Sequence, residues 1–354
     1  MVGTELIPVN LITGFLGSGK TTLLSRLLRQ PAFADTAVLI NELGEIGLDH
    51  LLLETLDENI VLLQSGCVCC TIRDDLAQAV RGLYSRRERG VIPAFRRLAI
   101  ETTGLADPAP IVSTLLADPV LRHHFRLGNI IVTVDAVNGG RQLDRQSESV
   151  KQAAIADRIV LTKTDLAPPA AVAALKARLA RLNPACPLIE GASADLDAER
   201  LLAQDFVAQA SRNAEAGAWL AAPLPEDRTR TGHDSSRHDE HIHAVALTFA
   251  TPLDWTAFGV WLTMLLQAHG EEVLRVKGLL HLRGAATPVA IHGVQHMVHA
   301  PVHLSGWPDA DRRSRLVFIL RDLDPAAVER SLVAFLALGA ATGALAEGLL
   351  PDAH

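Results

Sequence analysis

Three of the four cysteines of the chain lie within four consecutive positions, at Cys67, Cys69 and Cys70. In an extended Cys-x-Cys segment the side chains of residues 67 and 69 point the same way, so both sulfurs can bind one ion. Thiolates favour Zn²⁺ and other thiophilic ions. Three cysteines do not complete a closed four-ligand structural site, and Glu42 or a neighbour could supply another ligand. The run therefore predicts an open metal site, with a redox pair or ordinary core cysteines as the alternatives.

A second motif, Gly14-x-x-x-x-Gly19-Lys20-Thr21, matches the phosphate-binding P-loop pattern in full. The motif requires a strand before it and a helix after it, and the sequence predicts a strand at about 6–13 and then a leucine-rich helix. The glycines allow backbone N–H groups to turn towards phosphates. Lys20 is expected to reach the β- and γ-phosphates, and the hydroxyl of Thr21 to bind Mg²⁺.

Apolar runs alternate with helical patterns through the first part of the chain. Near-continuous Val, Ile and Leu are typical of strands that are buried on both faces. The alternation predicts an α/β fold with a mainly parallel sheet, whose ligands bind at the carboxyl ends of the strands. After the P-loop strand, the predicted strands are TAVLIN (36–41), NIVLLQ (59–64), RLAIET (97–102), NIIVTVDA (129–136) and DRIVLTKTD (157–165).

Polar residues follow several of these strands. In ETTGLADP, Glu101 stands where a P-loop protein places an acidic residue for the Mg²⁺ shell, Gly104 would let the backbone approach a γ-phosphate, and Asp107 is a candidate for positioning water. A strand that ends in a capped turn is the alternative interpretation. The acidic stretch NELGEIGLDH (41–50), which contains Glu42, resembles a nucleotide-sensing loop that γ-phosphate and metal would order.

The segment Thr162-Lys163-Thr164-Asp165 has the form of a guanine-reading loop. The carboxylate of Asp165 can accept from the ring N–H and the exocyclic amine of guanine together, and adenine lacks that donor pair. The stem of Lys163 can lie along the base. The usual first residue of such a loop is Asn, and here it is Thr162. GTP is therefore favoured over ATP.

The composition changes at 221–242, where Pro, Ser, charged residues and His form a predicted linker. Its histidines could capture a metal transiently, or they could belong to a solvated connector. Residues 243–354 predict a smaller α+β domain, an antiparallel sheet with helices on one face. Trp255, Trp261 and Met264 are expected in its core. Four further histidines are expected to be strand residues that face solvent, or to form a partner or metal surface: His292, His296, His299 and His303.

The overall composition limits the classes of partner. Hydrophobic residues make up 49% of the 354 residues, charged residues 21%, and the formal net charge is −7, which fits a globular protein without a nucleic-acid partner. No run approaches the roughly 20 apolar residues of a membrane span. The N-terminal residues lack a signal-peptide pattern, and the few clustered cysteines fit a reducing compartment, so a cytoplasmic protein is expected.

Five motifs, GFLGSGKTT, NELGE, GCVCC, ETTGLADP and TKTD, occur together in this order. They resemble the CobW-type P-loop GTPases, a family of metallochaperones and metal-centre assembly factors related to HypB and UreG. The resemblance covers the first domain (1–220) nearly throughout, and EEVLRVKGLLHL and IHGVQHM resemble the second domain of the family. The departures are Leu43, where Phe is frequent, and Thr162, and neither removes a ligating group.

The resemblance implies a slow GTPase that forms GDP and phosphate and couples Mg–GTP to a metal ion at the cysteines. The implied catalytic residues are Lys20, Glu101 and Asp107. The implied nucleotide-binding residues are Gly14, Gly17, Ser18, Gly19, Lys20, Thr21, Thr22, Gly104, Thr162, Lys163 and Asp165. The implied metal-binding residues are Cys67, Cys69, Cys70 and Glu42, with Thr21 for Mg²⁺.

The first functional hypothesis is a GTP-dependent metallochaperone that passes zinc, or cobalt for cobalamin synthesis, to a client metalloprotein or cobalt-insertion enzyme. Zinc is favoured, although thiolate-rich ligands accept both ions. The alternatives are a P-loop kinase or ATPase with structural or redox cysteines, and a metal buffer or sensor that nucleotide only stabilises. The sequence leaves the client and a homodimer open.

Overall fold

A computed structural model of the chain describes residues 6–33, 35–40, 62–64, 72–191, 196, 201–202 and 241–347. The chain separates into two compact units, and the described residues up to Leu202 belong to the first and those from His241 to the second. The predicted boundary at 220–221 falls outside the described residues and stays a prediction. The same holds for the cysteine run, Glu42 and nearly all of the predicted linker.

The first unit is built on a seven-stranded sheet in the order β3-β2-β4-β1-β5-β6-β7. Every pair of neighbouring strands is parallel, which confirms the predicted α/β class. β7 was not predicted from the sequence, because three partly exposed residues carry too short an apolar pattern. The strands are β1 (Ile7–Gly14), β2 (Thr36–Ile40), β3 (Leu62–Gln64), β4 (Arg97–Glu101), β5 (Phe125–Asp135), β6 (Arg158–Thr162) and β7 (Leu188–Glu190).

Wherever the structure describes the connection between two consecutive strands, it contains a helix, as crossover connections require. Leu24 and Leu27 of the first helix are fully buried and pack on Ile12 and Val38 of the sheet. Burial of each such leucine contributes about 1.5–3 kcal/mol, which explains the leucine-rich pattern after the P-loop. The helices are α1 (Lys20–Leu28), α2 (Ile72–Glu88), α3 (Pro108–Ala117), α4 (Pro119–His124), α5 (Gly139–Arg145), α6 (Ser147–Ile155) and α7 (Pro169–Leu182), and Pro31–Phe33 form a 3₁₀ turn.

The sheet order brings the carboxyl ends of β4, β1, β5 and β6 side by side. In register, Ile12 of β1 pairs with Glu101 of β4, and Gly14 of β1 pairs with Thr133 of β5. Asp135 at the end of β5 pairs with Thr162 at the end of β6. Residues that are far apart in sequence therefore meet at one edge of the sheet, where ligands of parallel α/β folds bind.

The second unit contains a six-stranded antiparallel sheet in which β11, β10, β9, β13 and β8 follow one another and β12 pairs with β10. Its two helices share one apolar core with the strand residues Leu316, Phe318 and Leu320. This confirms the predicted α+β arrangement. The elements are β8 (Ile242–Phe249), α8 (Trp255–His269), β9 (Val273–Leu280), β10 (Val289–Val294), β11 (Met297–Val298), β12 (Val302–His303), β13 (Ser314–Arg321) and α9 (Pro325–Glu347).

The sequence predicts Trp255, Trp261 and Met264 of α8 in the core, and of these only Trp261 lies there. Trp261 is buried and donates its indole N–H to Ser331 Oγ at 2.9 Å, whereas Trp255 and Met264 are 45% and 53% exposed. The expectation was wrong for these two because their positions fall on the outer side of the helix. None of the helices in the described ranges is both long and apolar enough to cross a bilayer.

Candidate functional site

The loop between β1 and α1 has a backbone that only glycine adopts readily. Gly14, Gly17 and Gly19 have φ angles of 142°, 70° and 90°, all in the region that disfavours other residues. A Cβ atom on Gly14 would also overlap Thr133. The three glycines are therefore required for the shape of the predicted P-loop.

Two polar side chains of this loop are fixed by hydrogen bonds, one to the neighbouring strand β5 and one to the loop backbone. Ser18 is fully buried, and its hydroxyl makes a 2.6 Å hydrogen bond with the hydroxyl of Thr133. Lys20 donates from Nζ to the carbonyls of Gly14 at 3.1 Å and Phe15 at 3.3 Å. The amine of Lys20 therefore lies over the loop, where it would meet a bound phosphate, and Ser18 fastens the base of the loop to β5.

The proposed ligands of Mg²⁺ are in direct contact. Thr21 Oγ1 donates to Glu101 Oε1 at 2.6 Å, and Glu101 is only 1% exposed. Both residues border the same cavity of about 660 Å³. Hydroxyl and carboxylate oxygens are the ligands that Mg²⁺ prefers, so the residues present fit this ion.

This cavity lies at the carboxyl ends of β1 and β4. Its volume suits a nucleotide-sized ligand. The sequence predicted eight of the residues around it and missed Leu16, Thr103 and Leu105, which carry no motif signal of their own. The lining residues are Leu16, Gly17, Gly19, Lys20, Thr21, Thr22, Glu101, Thr103, Gly104, Leu105 and Lys163.

The loop after β4 packs directly on the P-loop. A Cβ atom on Gly104 would lie 2.7 Å from the backbone nitrogen of Leu16, so only glycine permits this approach. Asp107 caps α3, because its Oδ1 accepts from the N–H of Ala109 at 3.0 Å. Its other carboxylate oxygen lies 3.8 Å from Lys151 Nζ. The structure therefore gives Asp107 a capping contact, and its predicted role in positioning water stays a prediction.

The predicted guanine-reading loop is bonded to the P-loop by two side chains. Thr162 Oγ1 donates to the carbonyl of Ser18 at 2.7 Å. Lys163 Nζ donates to the carbonyl of Gly17 at 2.8 Å and to Asp135 Oδ2 at 2.8 Å. Thr162 therefore provides a direct link to the phosphate loop. The next carboxylate of the motif, Asp165, is exposed at the surface.

Asp135 is a site residue that the sequence did not single out. Its burial alone would raise its pKa, but hydrogen bonds from Lys163, from the side chain of Asn138 and from the backbone N–H groups of Val137 and Asn138 outweigh that effect. The pKa of Asp135 is therefore below its ordinary value, and the carboxylate stays ionised beside Lys163. Its place as the last residue of the strand NIIVTVD was the available signal.

Two family models match the chain, one for each unit. The CobW/HypB/UreG nucleotide-binding domain matches residues 8–190, and the cobalamin synthesis protein cobW C-terminal domain matches residues 242–336. The chain belongs to the CobW family. The CobW-type resemblance of the sequence motifs is thereby confirmed.

Relatives in the CobW family extend over nearly the full length. The zinc chaperone YjiA of Escherichia coli is 33% identical over 313 residues, which cover 88% of this chain and 93% of that protein. The zinc chaperone CobW of Pseudomonas aeruginosa is 30% identical, with 94% and 92% covered. A crystal structure of the Zn(II)-bound YjiA GTPase from E. coli superposes with a TM-score of 0.68 at 28% identity and covers 94% of this chain and 99% of that one.

The candidate zinc ligands of this CobW-family chain lie outside the described residues. They are Cys67, Cys69, Cys70 and Glu42. Among the residues that the structure does describe, no group of three or more His, Cys, Asp and Glu side chains is arranged to hold a metal ion. In the second unit His292 is buried, contacts Arg275 at 2.8 Å and stacks on His299, so it does not face solvent.

Proposed function

We propose that this CobW-family GTPase is a zinc metallochaperone that binds zinc at Cys67, Cys69 and Cys70 while GTP is bound. Hydrolysis of GTP to GDP and phosphate then loosens the site, and the ion passes to a client metalloprotein. The names of its full-length relatives, zinc chaperones YjiA and CobW, support zinc as the cargo. Cobalt remains the alternative ion.

One structural observation carries the link between the cysteines and the nucleotide. Ile40, the last residue of β2, pairs with Gln64 of β3 on one side and with Glu101 of β4 on the other. Neighbouring strands are about 4.8 Å apart, so the end of β3 lies about 10 Å from Glu101 along the sheet. Cys67 follows Gln64 by only three residues in the sequence, so the position of the end of β3 supports a zinc site close to the nucleotide.

Glu42 is also close in sequence to this edge of the sheet. It follows by two residues the end of β2 at Ile40, and β2 lies between β3 and β4, the strand that ends in Glu101. A segment that starts there can respond to a terminal phosphate and contribute a carboxylate to a zinc site. This arrangement favours a nucleotide-gated site with Glu42 as an additional ligand.

The nucleotide would be held by the P-loop and the guanine-reading loop. Backbone N–H groups of the P-loop and Lys20 bind the phosphates, and Thr21 and Glu101 would hold Mg²⁺, which supplies charge neutralisation at the phosphates. Asp165 accepts from the guanine base. Because binding free energies are reciprocal, zinc must tighten GTP binding by the same factor by which GTP tightens zinc binding.

A competition titration tests the proposal. Zn²⁺ and Co²⁺ affinities are measured with Mg²⁺ and a non-hydrolysable GTP analogue, and again with Mg–GDP, on the wild type and on Cys69→Ser. The matched control is Cys186→Ser, which alters a single buried cysteine after α7 in the first unit. We expect zinc to bind at least about tenfold more tightly with the GTP analogue, a coupling of about 1.4 kcal/mol. That difference should be lost in Cys69→Ser and kept in Cys186→Ser.

The other functional hypotheses predict different results. A metal buffer would bind zinc equally in both nucleotide states, and Lys20→Ala would leave its zinc affinity unchanged. A P-loop kinase or ATPase would prefer ATP to GTP or would need a phosphoryl acceptor for turnover. Equal zinc affinity with the GTP analogue and with GDP would overturn nucleotide-gated release.

A further inference from the structure

The loop between β4 and α3 is held from behind by a buried glutamine of α6. Gln152 is 1% exposed, and its side-chain amide donates to the carbonyl of Gly104 at 3.3 Å and to that of Ala106 at 2.9 Å. Leu105, between these two carbonyls, lines the nucleotide cavity. One side chain from a distant helix therefore binds the loop on both sides of a cavity residue.

The orientation of this amide is set by its surroundings. Its nitrogen faces two carbonyl oxygens, and a rotated amide would place its own oxygen against both of them. The carbonyl oxygen of Gln152 is buried and accepts no hydrogen bond from the described residues. A buried polar atom without a partner is unfavourable, and an apolar side chain of the same size would avoid it. The advantage of glutamine over such an apolar side chain is therefore the pair of hydrogen bonds that it donates to the loop.

These bonds decide which backbone groups can face the cavity. Because a trans peptide is planar, its C=O and N–H point in opposite directions. The carbonyl of Gly104 is directed at Gln152, so the N–H of Leu105 points away from α6. Without Gln152 this peptide could rotate and direct a carbonyl oxygen towards an anionic phosphate in the cavity.

Both ends of the loop are anchored independently. At the start, Thr102 donates from its hydroxyl to Thr13 Oγ1 at 2.7 Å, and its N–H donates to the carbonyl of Ile12. At the end, Asp107 caps α3. Gln152 acts on the centre, where Gly104 packs on Leu16 of the P-loop. Loss of its bonds would therefore leave the ends of the loop in place and free its centre.

We propose that Gln152 is a positioning residue for GTP hydrolysis, which orients the Gly104–Ala106 backbone towards the terminal phosphate. The proposal rests on the nucleotide site assigned under the proposed function, and it is independent of the zinc site. Since GDP has no γ-phosphate, Gln152 contributes to binding and hydrolysis of GTP and contributes little to binding of GDP.

The test replaces the donor with an apolar side chain of similar length. For Gln152→Met we measure the affinities for GDP and for a non-hydrolysable GTP analogue, and single-turnover GTP hydrolysis. The expected result is a loss of about tenfold or more in GTP-analogue affinity and in hydrolysis rate, as one or two hydrogen bonds would contribute, with GDP affinity within about twofold of wild type.

The matched control is Asn183→Leu. Asn183 is also a buried amide, and its Nδ2 donates to the carbonyls of Ala153, Ala154 and Ala156, which follow Gln152 at the carboxyl end of α6. We expect Asn183→Leu to lower the melting temperature by a similar amount and to leave the GTP-to-GDP affinity ratio unchanged. If Gln152 only stabilises the fold, the GTP-to-GDP affinity ratio should be the same in Gln152→Met and in Asn183→Leu.

Gln152→Asn extends the test if Gln152→Met does not fold. It keeps the amide but shortens its reach by one methylene, so we expect a smaller loss in the same direction. A Gln152 variant that folds with a wild-type hydrolysis rate and affinity ratio would overturn the role of Gln152. A wild-type protein that fails to bind GDP would overturn the nucleotide site and this proposal together.

Discussion

Thr21 Oγ1 donates a 2.6 Å hydrogen bond to Glu101 Oε1 across 80 residues of sequence. The contact arises because β1 and β4 are neighbours in the sheet and α1 begins directly after the P-loop. It places a hydroxyl and a buried carboxylate side by side at the nucleotide cavity. The two oxygens that the sequence predicts as Mg²⁺ ligands from separate motifs therefore lie within hydrogen-bond distance of each other.

The first prediction concerns the charge of this site. Glu101→Gln keeps the size of the side chain but removes the negative charge that would hold Mg²⁺. We expect the Mg²⁺-dependent GTPase rate to fall about 10- to 100-fold, since hydrogen bonds to charged groups contribute about 1.5–3 kcal/mol. The measurement is phosphate release across a Mg²⁺ titration. The control is Glu329→Gln, the same change at an exposed position of α9, and a Glu101→Gln enzyme with the control's rate would contradict the assignment.

The second prediction is a pH dependence of stability. The pKa of Asp135 lies below its ordinary value of 3.8 in the folded protein, so its ionised form stabilises the fold. This contribution is fully present above the unfolded-state pKa and is lost as the pH falls through the folded-state pKa. We expect Asp135→Asn to lower the free energy of unfolding by about 1–3 kcal/mol at pH 7, because the charge-assisted bonds of this site are lost.

Urea unfolding between pH 3 and pH 7 checks this prediction. The difference between wild type and Asp135→Asn should be constant at neutral pH and should shrink below about pH 4. If the difference in the free energy of unfolding grew as the pH fell, the pKa of Asp135 would not be lowered by folding. Lys163→Met, which removes the main side-chain partner of Asp135, should reproduce part of the effect.

The third prediction separates two contributions of Thr162 to nucleotide affinity, that of its hydroxyl group and that of its branched shape. Thr162→Val removes the bond to the carbonyl of Ser18 and keeps the branched side chain that packs near Gly19. We expect guanine-nucleotide affinity to fall by about two- to tenfold, as the loss of one neutral hydrogen bond of about 0.5–1.5 kcal/mol implies. Thr162→Ser retains the hydroxyl and should bind nearly as the wild type does. Equal losses in the two variants, measured by GDP titration, would assign the effect to packing.

The fourth prediction tests the core of the second unit. Leu332 is fully buried against the antiparallel sheet, whereas its neighbour Val333 is 50% exposed. Leu332→Ala should cost about 2–5 kcal/mol through lost burial and a cavity. Val333→Ala should change stability by no more than about 0.5 kcal/mol. Thermal and urea unfolding of the two variants measure the difference, and similar losses would contradict the assigned faces of α9.

Among the contacts of the site, those within one short segment were predictable. The P-loop requires glycines at fixed spacing, because the positive φ angles of Gly14, Gly17 and Gly19 are local properties of the backbone. The cap of α9 is equally local, because Asp324 accepts from the N–H of Ala326, two residues further on, at 3.0 Å. In contrast, Trp255 and Met264 were misplaced because which face of a helix is covered depends on the elements packed against it.

The sequence by itself determined the α/β and α+β classes, the nucleotide motif and the family. Each of these is indicated by a pattern of residues that are close together in the sequence. Only the tertiary structure decided that Asp135 anchors Lys163, that Thr162 binds the P-loop carbonyl of Ser18, and that Gln152 holds the loop after β4. The physical reason is the order β4-β1-β5-β6 of the parallel strands. That order results from the packing of the whole sheet, and it brings together side chains whose separation in sequence carries no signal of contact.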